Sequence, residues 1–150
     1  MHEWSIASNI LYTVLEYSRK RGLSRVDRVD VIVGELSQID LNILKFALRE
    51  LSKNHGLDGN VFNFIIEKTL LKCSVCGYEW SFNDFKEKLI REFGEDNPVH
   101  FIPDLVYSFT SCPKCGSKDF NIISGKGVKI AKIIGAADPP NSPYNLEKSL

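Results

Sequence analysis

No stretch of this 150-residue chain approaches the ~20 consecutive apolar side chains that a membrane span needs. Neither sign of charge dominates: Lys+Arg and Asp+Glu number 19 each, so no global field draws the chain to nucleic acid or an acidic membrane. The opening Met1-His2-Glu3-Trp4 lacks the basic leader and apolar core of a secretory signal. No Gly-x-x-x-x-Gly-Lys-[Ser/Thr] sequence occurs, and Gly125-Lys126-Gly127 lacks the framing of a phosphate loop. Nucleotide hydrolysis by the chain itself is therefore not expected. A nucleophile elbow and a His-Glu-x-x-His pair are also missing, which points away from an enzyme.

Cysteine is scarce as well, but its four copies are not scattered. All lie in two short clips, Cys73-x-x-Cys76 and Cys112-x-x-Cys115, each followed by glycine. Two residues between cysteines let a tight turn aim both thiolates at one ion. Four sulfur donors in two such clips suit tetrahedral Zn(II) at ~2.3 Å per bond. A site filled by four thiolates leaves no vacancy for chemistry, so such a zinc is structural. Disulfides or a redox pair are the alternative, but neither a secretory signal nor a thioredoxin-like βαβ unit accompanies the clips. With thiols reserved for metal, the cytoplasm is the expected compartment.

Apolar periodicity outlines the rest. Ala7, Ile10, Leu11, Val14 and Leu15 recur at helical spacing between Ser5 and about Arg21, and the basic run before Gly22 suits a helix end. Val29, Val31 and Val33 alternate as a strand ending at Gly34. Ser37 with Asp40 resembles a capping box, ahead of a helical stripe of Leu41, Leu44, Leu48 and Leu51 that closes at Gly56. Phe62, Phe64 and Ile66 predict a second strand leading straight into Cys73, and Val128 to Ile134 a third. The fold class is α+β: two helices on a three-stranded mixed sheet, with an inserted zinc-ribbon domain carrying an extra helix. The expected domains are 1–71 plus 125–135, and 72–124, with hinges near Leu71 and Ser124. Residues 136–150 hold three of the six prolines and read as a flexible tail.

The ribbon is long. Its clips are separated by 35 residues, against roughly 15–20 in common zinc ribbons. Within the insertion 77–111, Phe85, Leu89 and Phe93 fall at successive helical turns before Gly94. His100 follows in a Pro98 to Pro103 loop.

His2 is the second suggestive feature. Its imidazole lies beside the first backbone amides, and nitrogen donors closing small chelate rings in one plane suit Ni(II) or Cu(II). On position alone, a frayed terminal histidine is the plainer alternative. Met1-His2-Glu3-Trp4-Ser5, Val33-Gly34-Glu35-Leu36-Ser37 and the two cysteine clips, in this order, resemble the HypA/HybF family of hydrogenase nickel-incorporation proteins across roughly residues 1–135. The long spacer is similar to that of archaeal members and departs from the compact ones. The resemblance implies a metallochaperone carrying Ni(II) to [NiFe] hydrogenase, working with the GTPase HypB and the hydrogenase large-subunit precursor. It implies His2 as nickel ligand with backbone nitrogen near His2 and Glu3, and zinc on Cys73, Cys76, Cys112 and Cys115. Glu3 is retained as a backbone contributor or a helpful charge, although an acid in a first helical turn is favourable in any case. His100 is a candidate fourth nickel donor, with a solvated loop residue as the alternative, whereas His55 suits a helix end. The competing class is a zinc-ribbon adaptor for nucleic acid or a nucleic-acid-handling complex. Against it, residues 72–124 carry six Lys/Arg and eight Asp/Glu, so no basic stripe stands out.

Overall fold

The computed structural model describes residues 2–37, 39–94 and 106–137. They form two compact units: 2–32, 39–65 and 129–137 make the first, and 33–37, 66–94 and 106–128 the second.

The first unit opens with α1 (His2–Lys20), which buries Ala7, Ile10, Leu11 and Val14 on one face. Arg19 and Lys20 in its last turn match the macrodipole. Strand β1 (Leu23–Gly34) follows directly after the Gly22 turn. It starts six residues earlier than the valine alternation suggests. Its first half is polar, and the arginines are paired two residues along the strand: Arg25 with Asp27 and Arg28 with Asp30, both at 2.7 Å. Spacing of two places both members of each pair on the same face. Asp30 is almost fully buried and also accepts from Asn63, at 3.2 Å.

Helix α2 (Leu41–Ser52) buries Leu44, Ala47 and Leu48. Its cap is Asp40, which accepts from the Asn42 and Ile43 amides at 2.9 and 3.2 Å. Ser37, expected to begin a capping box, instead donates to the Gly34 carbonyl. Strands β2 (Phe62–Glu67) and β6 (Val128–Ala137) flank β1 in the order β2-β1-β6. Ser24 bonds to the Ala136 carbonyl at one end of β1 and the Gly34 amide to the Gly127 carbonyl at the other, so β1 and β6 run antiparallel. Ala136 and Ala137, assigned to the tail from sequence, are strand residues.

In the second unit, β3 (Leu70–Cys73) is the central strand of an antiparallel sheet, between β4 (Glu79–Ser81) and β5 (Phe120–Ser124). The second predicted strand does not run unbroken into Cys73. It ends at Glu67, and Lys68-Thr69 separate β2 from β3, which belongs to the other sheet. The inserted helix is α3 (Asn83–Phe93), as the periodicity predicted, and a short α4 (Val106–Phe109) precedes the second clip. Leu36, Leu71, Cys73, Trp80, Phe82, Leu89, Val106, Cys112 and Phe120 form one buried cluster.

Leu36 lies far from the ribbon in sequence, and the chain around it explains how it gets there. Gly34 packs against Gly125 so closely that a Cβ would collide with the Gly125 carbonyl. The Leu36 amide donates to that carbonyl at 2.9 Å, and the Glu35 carboxylate accepts from the Thr69 amide, also at 2.9 Å. The Glu67 carboxylate accepts from the Gly125 amide at 2.7 Å. Fully buried Leu36 is thus seated by backbone pairing, and its truncation leaves a cavity. Leu36→Ala is expected to lower the unfolding free energy of this unit by about 2–5 kcal/mol. Chemical denaturation followed by tryptophan fluorescence checks this, and an unchanged midpoint would show that the seat collapses without cost.

Candidate metal centres

The first clip is the turn of the β3–β4 hairpin, in which Lys72 pairs with Glu79. The second feeds β5, whose Phe120 pairs with Cys73, and this register brings the clips side by side. Both fold by the same hydrogen bonds. The Cys73 amide donates to Tyr78 O and the Gly77 amide to Cys73 O, at 2.8 and 3.0 Å. The Cys112 amide donates to Ser117 O and the Gly116 amide to Cys112 O, both at 2.8 Å. Gly77 and Gly116 have φ of 78° and 77°, a left-handed conformation that explains a glycine after each clip.

The four Sγ atoms lie within 4.8 Å of one another. Cys73 faces Cys115 and Cys76 faces Cys112, each pair at 3.5 Å. A tetrahedral zinc with ~2.3 Å bonds needs sulfurs about 3.8 Å apart, so the donor set fits such an ion. All four cysteines are free thiols in the fold. Cys73 and Cys112 are buried, whereas Cys76 and Cys115 are exposed.

Electrostatics separate the sulfurs. The Cys76 amide draws the Cys73 thiol down against burial, with help from the Val75 amide. Burial pushes Cys112 up, but the Cys115 and Lys114 amides and the neighbouring thiols bring it down to about 6. Cys115 goes the other way: the Ser117 amide favours its thiolate, yet burial and the sulfurs of Cys73, Cys112 and Cys76 push it up to about 12. Four thiolates this close repel one another, and a divalent cation removes that repulsion.

In the first unit, His2 is the first residue of α1 and is exposed. Glu3 is half-buried, and its carboxylate accepts from the Asp40 amide at 3.2 Å. Sequence reasoning noted Asp40 only as part of a capping box. Its tie to Glu3 joins residues 37 positions apart, and no local pattern signals it. Trp4 meets Phe46 of α2 edge-to-face, with centroids 6.0 Å apart and planes at 83°. His100 lies outside the described residues. His55 closes a short 3₁₀ turn before Gly56, at the end of the α2 segment.

An α+β scaffold with a four-thiolate ribbon defines a small metal-handling protein, and comparison with known proteins narrows the class. Residues 1–134 match the family described as "Hydrogenase/urease nickel incorporation, metallochaperone, hypA". Hydrogenase maturation factor HypA of Pyrococcus horikoshii is 45% identical over 133 residues, covering 89% of this chain and 94% of the relative. Its namesake from Pyrococcus furiosus is 44% identical over 134 residues, covering 89% and 95%. The solution structure of the Ni metallochaperone HypA from Helicobacter pylori superposes with a TM-score of 0.59 at 20% identity, covering 91% of this chain and 98% of that one. At that identity it speaks for the fold alone. The chain belongs to the HypA family of hydrogenase maturation metallochaperones, which are not enzymes. No helix among the described residues is long and apolar enough to cross a membrane.

Removing one buried sulfur should collapse the cysteine unit selectively. Cys112→Ala is expected to expose the amides of β3, β4 and β5 to hydrogen exchange while those of α1 and α2 stay protected. Unaltered protection of the three strands would show that the unit holds without its fourth donor.

Proposed function

We propose that the chain binds Ni(II) at its amino end and passes it to a [NiFe] hydrogenase large-subunit precursor in the cytoplasm, acting with the nickel-handling GTPase HypB. Nickel is the cargo. Its donors are the His2 imidazole, backbone nitrogen at His2 and Glu3, and His100. The observation that carries this reading is the family match, which spans residues 1–134 and so takes in the Met1-His2-Glu3 segment and both clips. Among the relatives, the names of the two Pyrococcus proteins favour hydrogenase over the urease that the family description also includes. The nucleic-acid adaptor is the weaker reading, since residues 72–124 carry fewer basic than acidic side chains.

The two centres differ in the chemistry of their donors. Imidazole and amide nitrogen suit a tetragonal d⁸ ion, and four thiolates suit tetrahedral zinc. On this reading Cys73, Cys76, Cys112 and Cys115 hold a structural Zn(II), and zinc stays while nickel comes and goes. On this reading Glu3 contributes backbone nitrogen, while its carboxylate accepts from the Asp40 amide.

His2→Ala should abolish specific nickel binding and leave zinc content and secondary structure intact. Nickel titration by calorimetry, with elemental analysis of the purified protein, tests this. Wild-type nickel affinity in His2→Ala would move the site elsewhere. Binding should strengthen as pH rises, because imidazole and amide donors must lose protons before they ligate.

His100→Ala should weaken nickel binding without changing zinc. Equal affinity in that variant and the parent would leave His100 an ordinary side chain.

A further inference from the structure

Trp4 and Phe46 are large aromatic side chains left 42% and 49% exposed, yet they are not idle on the surface. Their edge-to-face contact joins the first turn of α1 to the middle of α2. One residue earlier, the Glu3 carboxylate takes the Asp40 amide just ahead of α2. Consecutive residues at the start of α1 are therefore tied to the second helix, one by a polar bond and one by a ring pair. The terminal turn of a helix ordinarily frays, because its first amides lack intrahelical acceptors. Here that turn carries His2.

We propose that Phe46 is a positioning residue for nickel binding at the amino end, acting through Trp4 on His2 and Glu3. The proposal rests on the reading of His2 as a nickel ligand. Phe46 supplies no donor. It restrains the first turn, so that the imidazole and the neighbouring backbone nitrogen lose less freedom when the ion closes its chelate rings. An edge-to-face pair of this kind alters an equilibrium by about twofold to tenfold, and that is the effect expected on nickel affinity when the ring is removed.

The test uses the full-length zinc-loaded protein, with Ni(II) alone as the probe. Phe46→Ala should bind nickel about twofold to tenfold more weakly, with the same visible absorption at saturation and the same zinc content. Phe46→Tyr, which keeps the ring edge, should restore wild-type affinity. Trp4→Ala should weaken binding to a similar degree. The double variant should be no weaker than either single one, because both remove one contact. Additive losses, wild-type affinity in Phe46→Ala, or failure of tyrosine to restore binding would each overturn the proposal. His2→Ala is measured alongside. If it loses nickel while Phe46→Ala does not, only the positioning role fails. If His2→Ala binds as the parent does, the amino-terminal site fails, and the role of Phe46 falls with it.

Discussion

The convergence of four sulfurs constrains the whole second unit. Two of the residues in its buried cluster, Cys73 and Cys112, are themselves metal-ligand candidates, so the apolar core and the metal centre are one structure. The first clip is the β3–β4 turn and the second delivers β5 to β3. The amides of Cys115 and Lys114 draw Cys112 towards its thiolate, while burial and the neighbouring sulfurs push Cys115 towards its thiol. A divalent cation bound there would cancel the repulsion and cross-link two turns distant in sequence.

Around that centre, Val33-Gly34-Glu35-Leu36-Ser37 has a physical meaning that its position obscures. It ends a strand of the first sheet, yet it packs as part of the cysteine unit. Gly34 permits close approach to Gly125, Glu35 receives the Thr69 amide, and Leu36 fills the buried cluster. A short segment with one small, one acidic and one large apolar residue thus completes a core built mainly by residues more than thirty positions later. The sequence reading placed hinges near Leu71 and Ser124. The compact units divide at Ile65–Ile66 and Val128–Lys129, with 33–37 joining the second. The anchoring bonds of Glu35 and Glu67 pair residues 34 and 58 positions apart, which periodicity does not register.

Local chemistry was legible and distant pairing was not. Cysteine spacing, the glycines behind the clips, the apolar faces of α1 and α2, and α3 all follow from patterns within a dozen residues. The early start of β1 was missed because its first half is charged. Its signal was the Arg-x-Asp spacing of two at Arg25-Asp27 and Arg28-Asp30. Ser37 fitted a capping template but bonds to Gly34, while Asp40, which takes the cap, satisfies the amides of Asn42 and Ile43. Phe62 to Cys73 read as one strand because apolar residues dominate it. The break at Lys68-Thr69 arises because Thr69 serves Glu35 and Gly125 instead. The ties of Glu3 to Asp40 and Trp4 to Phe46 are products of tertiary packing, and no local pattern contains them.

The start of α1 at His2 bears on what an ion there would cost the fold. Backbone nitrogen ligates a metal only after losing its proton, which ends its service as a hydrogen-bond donor. In the middle of a helix that step breaks a bond to the carbonyl four residues back, whereas the first four amides of a helix lack that carbonyl partner. Nitrogen at His2 and Glu3 can therefore be recruited without dismantling the helix behind it. The anchored positions begin immediately beyond, at the Glu3 carboxylate and the Trp4 ring. A site arranged in this way would take up an ion by rearranging an exposed end, while the helix that carries it stays bonded. Release of such an ion would displace the donors of that end, together with His100 where it ligates, without unwinding the helix. At the four-cysteine centre, by contrast, loss of a bound ion would disturb the core of its own unit, because Cys73 and Cys112 belong to that core.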